Sequence, residues 1–246
     1  MAQDSTLAAH APHGHDAVHG IAAHGVHGHP RLEHHFENME QQKDATTLGM
    51  WAFLLQEIMF FGGLFMCYIL YRMMYPAAWA EGSNHLDVML GGINTAVLIG
   101  SSLSMAMAVY ASQTGKQRML MGMLTLTLVL GLAFMGIKYV EYSHKIHDGL
   151  FPGFGLWNYT GANPAEGPHV QMFFVVYFLM TGMHALHMIV GVGILLWLMK
   201  RAKAGEFGPE YHGPIELFGL YWHFVDIIWI FLFPLLYLVN RHIPGH

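Results

Sequence analysis

Five long, nearly uncharged apolar segments constrain the fold of this chain more than any other feature. The hydrocarbon core of a bilayer is about 30 Å thick, and a helix needs roughly 20 mostly apolar residues to cross it. Only 11% of the residues are charged, against about 25% in a typical soluble domain, so much of the surface is expected to face lipid. The pattern predicts an all-α, polytopic membrane protein with five transmembrane helices. The predicted spans cover residues 47–75, 86–111, 119–141, 170–199 and 214–240.

Basic residues in the connecting loops predict the direction of the bundle. Lys116 and Arg118 lie between the second and third spans, and residues 200–203 add three more cations after the fourth. The loop 76–85 contains no Lys or Arg, and Lys145 is balanced by nearby acids. The positive-inside rule therefore predicts a cytoplasmic amino terminus and a periplasmic carboxyl terminus. Three aromatic residues near span ends are predicted to be interfacial anchors: Trp79, Trp157 and Tyr159.

Residues 1–45 differ from the rest because they hold nine of the 19 histidines. The simplest interpretation is a cytoplasmic tail too poor in large apolar groups to fold alone, followed by a transmembrane domain over residues 46–246. The alternative is a weak site for copper, nickel or zinc, for which neutral imidazole is a good ligand. Irregular spacing and the lack of cysteine in the tail argue against a specific site. The candidate ligands are His24, His27 and His29.

A few ionisable residues fall inside the apolar spans, where they are costly and usually face a bundle interior or a cavity. With a rise of about 1.5 Å per residue, four of them are predicted to share one layer in the middle to cytoplasmic half of the membrane. These are Glu57, His184, His223 and Asp226.

Several interpretations of these polar groups remain open. His184 and His187 share a helix face, as do His223 and Asp226, because each pair is three residues apart. The structural interpretation is that one charge-assisted hydrogen bond satisfies His223 and Asp226. A metal site of two histidines and a carboxylate is an alternative, although HExxH is absent. The default interpretation of Glu57 is a structural acid whose hydrogen-bonding needs are met inside the bundle. The alternative is a proton-responsive group that takes part in proton transfer.

Other functional classes find no support in the sequence. The formal net charge is −5, and no basic stripe interleaved with aromatics indicates a nucleic-acid partner. There is no phosphate-binding loop, nucleophile elbow or CxxCH haem-attachment motif. No residue is therefore assigned a catalytic role.

Several segments together resemble the cytochrome c oxidase subunit III family, in the five-helix bacterial form of this heme–copper oxidase subunit. Residues 221–231, YWHFVDIIWIF, are similar to the signature of the family's last helix, and residues 184–191, HALHMIVG, to the helix before it. Residues 56–63, QEIMFFGG, resemble the segment that holds the family's membrane-buried glutamate. The similarity extends over about residues 46–242 in the family's order. Shorter matches occur at 94–98 and 141–142.

The resemblance implies a subunit without a redox centre, in the bacterial inner (plasma) membrane as a multi-pass protein. Haem and copper are implied in the partner subunits I and II, where subunit I reduces dioxygen to water and pumps protons. Subunit III is implied to stabilise this catalytic partner, to support its proton uptake and to bind structural phospholipid.

The resemblance also assigns residues. Glu57 is implied as the buried acid, and Lys138 stands where the family more often has a neutral polar residue. Lys200 and Arg201 are candidate contacts for lipid headgroups. The intramembrane polar contacts are implied at His184, His187, His223, Asp226 and Glu141.

The leading interpretation is subunit III of a proton-pumping aa3-type cytochrome c oxidase in aerobic respiration. A quinol oxidase subunit and an accessory protein of nitric oxide reductase share the five-helix form and remain alternatives. Outside the family, the chain could be a small transporter with Glu57 as its proton-coupled carboxylate, although internal repeats and broken helices are not evident. A membrane metalloenzyme that uses the histidines of the fourth and fifth spans is the remaining alternative.

Overall fold

The computed structural model describes residues 39–153, 155–159 and 167–239. The chain divides into two units, Met1–Gln42 and Lys43–His246. The candidate tail ligands His24, His27 and His29 lie outside the described residues. Within the described ranges the regular structure is helical, and its helices are α1 (Met39–Met74), α2 (Pro76–Asn84), α3 (Val88–Gln113), α4 (Gln117–His147), α5 (Gly167–Lys203) and α6 (Gly213–Tyr237).

Five of these helices, α1 and α3 to α6, are long and apolar enough to cross a membrane, counted over the described residues. The prediction of an all-α protein with five transmembrane helices is therefore confirmed. Several helices extend beyond the predicted spans: α1 begins at Met39 rather than at residue 47, and α4 ends at His147 rather than at 141. The apolar run marks only the part that fits hydrocarbon, whereas the helical hydrogen bonds continue past it.

The loop predicted at residues 76–85 is instead mostly the short helix α2. Pro76 stands in its first turn, where a missing backbone N–H costs nothing. The prediction that Trp79 is an interfacial anchor is also wrong, because its side chain is fully buried. Its ring is stacked on Tyr71 with centroids 6.2 Å apart and meets Phe173 edge-on at 5.7 Å. α2 therefore packs inward onto α5 at this end of the bundle.

The helices α3 to α6 form the compact part of the domain, in which α3 and α5 each pack against both α4 and α6. Trp222 of α6 is fully buried at the point where these helices meet. A side chain added at Gly131 of α4 or at Gly191 of α5 would lie 3.0 Å from its ring. These two glycines therefore make room for the indole, whose Nε1 donates a hydrogen bond to Ser101 of α3 (3.1 Å).

α1 does not pack as closely as α3 to α6 do, and it contacts α6 through long side chains. Phe61 lies 6.4 Å from Phe224 of α6, measured between ring centroids, and Tyr68 donates a hydrogen bond to the carbonyl oxygen of Leu235. Between the first half of α1 and helices α5 and α6 lies an apolar groove of about 460 Å³, whose lining includes Phe53 and Trp197. We call this space the α1 groove.

Candidate functional site

Glu57, the predicted buried acid, lies on α1 and faces α5. It is 8% exposed, and its Oε2 lies 3.0 Å from Nε2 of His187. His187 also lines the α1 groove. Its ring packs 5.3 Å from Phe61, and its backbone carbonyl accepts a hydrogen bond from the hydroxyl of Tyr221 (2.8 Å). The acid thus connects α1 to α5, beside a contact between α5 and α6.

The hydrogen bonds of His187 fix how many protons this pair holds. Nδ1 lies 2.8 Å from the carbonyl oxygen of Met183. Because a carbonyl can only accept, Nδ1 carries a proton. The contact between Nε2 and the Glu57 carboxyl group then needs one further proton, which either group can hold. The pair is therefore neutral as a whole, which lowers the cost of keeping an acid inside a membrane.

His184 does not join this pair. Its ring is 1% exposed and packs between Phe134 and Trp229, with centroids 5.5 and 5.2 Å away. Nε2 lies 3.1 Å from the carbonyl oxygen of Val225 on α6. Although His184 and His187 are one helical turn apart, they bind different helices, so one links α5 to α6 and the other links α5 to α1.

A second polar centre lies around Lys138 and Glu141 of α4. Both side chains are almost fully buried, and Nζ of Lys138 lies 2.8 Å from Oε2 of Glu141. Nζ also donates to the hydroxyl of Tyr237 (2.8 Å), and Tyr177 and Tyr237 donate to Oε1 of Glu141 (2.9 and 2.5 Å). The ammonium group lies 4.8 Å from the ring centroid of Trp229, within the range of a cation–π interaction.

Sequence reasoning missed this second centre, although a signal was available. At the sequence level Lys138 is only a departure from the resembled family, and Glu141 is only one of the implied polar contacts. Residues three apart on a helix face the same side, so a Lys and a Glu at that spacing in an apolar run indicate an intramembrane ion pair. The two tyrosines lie on α5 and α6, so their contacts with Glu141 could not be predicted from the sequence of α4.

His223 and Asp226 of α6 do not form the hydrogen bond considered for them. Nδ1 of His223 lies 2.6 Å from the hydroxyl of Ser102 on α3. Ser102 also approaches the Asp226 carboxyl group, but neither carboxyl oxygen has a hydrogen-bond partner of ordinary geometry among the described residues. Asp226 is nevertheless only 3% exposed.

The lipid-headgroup candidates lie at the end of α5. Lys200 is exposed. Arg201 pairs with Glu206 (Nε to Oε2, 2.6 Å), and its guanidinium group lies 4.7 Å from the ring centroid of Trp197. Arg201 therefore stands beside a wall of the α1 groove.

The alternative of a metal site in the fourth and fifth spans finds no matching geometry. Among the residues that the structure describes, no three His, Cys, Asp or Glu side chains are grouped so that they could hold a metal ion.

Comparison with known proteins shows the family to which the chain is related. Residues 32–163 and 150–240 match cytochrome c oxidase subunit III. The chain belongs to the cytochrome c oxidase subunit III family. It is 31% identical over 206 residues to cytochrome c oxidase subunit 3 of Thermostichus vulcanus, which covers 83% of this chain and 92% of that protein. It is 32% identical over 197 residues to a probable cytochrome c oxidase subunit 3 of Nocardia farcinica, covering 80% and 89%.

Another relative, whose name indicates quinol rather than cytochrome c as the electron donor, matches this chain over a similar length. The probable quinol oxidase subunit 3 of Staphylococcus haemolyticus is 28% identical over 200 residues, which cover 80% of this chain and 90% of that protein. Membership of this family makes the chain a multi-pass membrane subunit III of a heme–copper oxidase, which works in a complex with other subunits.

Proposed function

We propose that this chain is the redox-inactive subunit III of a proton-pumping, aa3-type cytochrome c oxidase in aerobic respiration. Haem and copper are held by partner subunits I and II, and this chain stabilises the catalytic subunit and supports its proton uptake. The observation that carries the proposal is the Glu57–His187 pair at 3.0 Å, in a chain whose family is that of cytochrome c oxidase subunit III.

The position of the pair supports a role in proton uptake by the complex. One proton lies between Glu57 and His187, and His187 lines the α1 groove. A carboxyl and an imidazole that share a proton can accept or release one with little movement of heavy atoms. The pair also holds α1 in place, so proton exchange and the packing of α1 are linked.

The α1 groove supports the binding of a structural phospholipid. Its lining is almost entirely apolar and suits an acyl chain. Arg201 stacks on Trp197 at one wall, and Lys200 is exposed on the same turn. We propose that these two cations meet the phosphate of a lipid whose acyl chain occupies the groove.

The proposed location is the bacterial inner membrane, with the amino terminus in the cytoplasm. Lys116, Arg118 and the cations at 200–203 would then all face the cytoplasm. A reporter enzyme that is active only in the periplasm, fused after His246, tests the direction: activity supports it, and an inactive but stable fusion contradicts it.

Purification of the tagged chain in a mild detergent tests the proposal as a whole. We expect the chain to bring down an oxygen-consuming complex with the visible spectrum of haem a, together with subunits I and II. A chain that purifies alone and colourless would contradict the proposal.

Subunit III of a quinol oxidase is the second candidate, which the Staphylococcus haemolyticus relative supports. The purified complex separates the two candidates by its donor. Oxidation of reduced cytochrome c supports the first, and oxidation of quinol without cytochrome c supports the second.

A further inference from the structure

A second groove lies where the end of α1, the start of α2 and the end of α6 come together. Its volume is about 370 Å³, and Arg72 is the charged member of its lining. The other side chains that line it are apolar: Ile69, Met73, Pro76, Ala80 and Val239. We call this space the Arg72 groove.

Arg72 lies at the depth of lipid phosphates. It follows residue 47, where the apolar part of α1 begins, by roughly 37 Å along the helix axis at 1.5 Å per residue. The hydrocarbon core is about 30 Å thick, and the headgroup layers bring the bilayer to roughly 40–45 Å. Arg72 therefore reaches the headgroup layer, and Ile69, one turn earlier, lies at the edge of the hydrocarbon. The α1 groove and Arg201 lie at the other end of α1.

The guanidinium group of Arg72 has no anionic partner among the described residues. It approaches the neutral hydroxyl of Tyr68, and none of the ion pairs between described residues involves it. Lys145, the other cation at this end, is buried and donates a hydrogen bond to the backbone carbonyl of His85. In the part of the chain that the structure describes, Arg72 is thus the strong cation that an anion outside the protein can reach at this surface.

A phospholipid matches both parts of the Arg72 groove. A guanidinium group binds a phosphate through two parallel hydrogen bonds, and the apolar wall suits an acyl chain, since Ile69 and Met73 are 44% and 75% exposed. We propose that Arg72 binds the phosphate of a phospholipid in the leaflet opposite to the one that Lys200 and Arg201 face. An acyl chain of this lipid lies along Ile69. The site depends on the membrane position of α1 and not on the oxidase role of the chain.

Lipid counting by native mass spectrometry tests this site. The full chain, with the subunits that accompany it, is reconstituted with phosphatidylglycerol and transferred to a mild detergent. We expect Arg72→Gln to bind one phospholipid roughly tenfold more weakly, the scale of one hydrogen bond to a charged group. Arg118→Gln removes an exposed cation at the opposite surface and should keep the wild-type affinity for that lipid. Equal lipid binding by the wild type and Arg72→Gln would overturn the proposal.

A photoreactive amino acid in place of Met73 identifies the occupant of the groove. We expect a phospholipid adduct whose yield falls several-fold with Arg72→Gln and recovers in part with Arg72→Lys, which keeps the charge but loses the planar fork. Thermal unfolding of the variants near that of the wild type shows that their fold is kept. An adduct with residues 240–246, with another subunit, or with lipid at a yield independent of Arg72 would overturn the proposal.

Discussion

Glu141 and Glu57 are both buried acids inside the membrane-spanning region, but they are stabilised in different ways. Glu141 pairs with Lys138 on its own helix and accepts hydrogen bonds from tyrosines of α5 and α6. Among the described residues, Glu57 has one hydrogen-bond partner, His187, which lies on a different helix and beside an open groove. The first arrangement closes the centre of the bundle, whereas the second attaches a peripheral helix. A buried carboxylate can therefore stabilise the centre of the bundle or hold an outer helix against it, depending on which helices carry its hydrogen-bond partners.

The largest effect is expected from Lys138→Met, which leaves Glu141 buried without its cation. Breaking a buried ion pair by removing one partner costs about 3–5 kcal/mol, so the thermal unfolding of the isolated chain in detergent should shift strongly. Leu132→Met, on the exposed side of the same helix, is the control and should have little effect.

The double variant Lys138→Met with Glu141→Leu sharpens this result. Replacing both charges with apolar groups of similar size is often neutral, so the double variant should be more stable than Lys138→Met alone. If the losses simply add, the two side chains do not act as a pair.

An intermediate effect is expected from Glu57→Ala, which leaves Nε2 of His187 without its partner. The cost should be about 1–3 kcal/mol, and it should appear as faster hydrogen exchange in α1 but not in α4. Glu57→Gln keeps a partner for a neutral His187, because the unprotonated Nε2 can accept a hydrogen bond from the Gln side-chain N–H, and it should lose less than half as much. If the variant speeds hydrogen exchange equally in α1 and α4, Glu57 does not hold α1 to the rest of the bundle.

The same Glu57→Ala variant also tests the function in the complex. Pumping efficiency or retention of the chain should fall more than basal oxygen consumption, because the chain is proposed to hold no redox centre. Complete loss of oxygen reduction in a correctly assembled complex would contradict this expectation.

The smallest effect is expected from Tyr221→Phe, which removes one hydrogen bond to the carbonyl oxygen of His187. A single hydrogen bond between transmembrane helices is worth about 0.6 kcal/mol, so unfolding should change only slightly. A loss as large as that of Glu57→Ala would mean that Tyr221, rather than Glu57, sets the position of His187.

The sequence predicted the membrane helices better than their polar contacts, for a physical reason. Span length and apolarity are local properties, so five helices could be predicted. The buried contacts of Trp79 are tertiary, and the Pro, Gly, Ser and Asn around it are typical of a loop. The partner of Glu57 lies 130 positions away, and only the rotation and tilt of two helices bring them together. The Lys138–Glu141 pair is local, and its three-residue spacing is a signal from which the pair could have been predicted, although at the sequence level the two residues are considered separately.

The separation of Glu57 from His187 has a consequence for synthesis. Chains grow at about 5–20 residues per second, so α5 emerges roughly 7–26 s after α1. During that interval the insertion machinery or the lipid must hold α1 with an unpaired acid. α4, by contrast, delivers Lys138 and Glu141 to the membrane together. A ribosome that stalls before α5 would therefore leave α1 in the membrane with its buried acid unpaired.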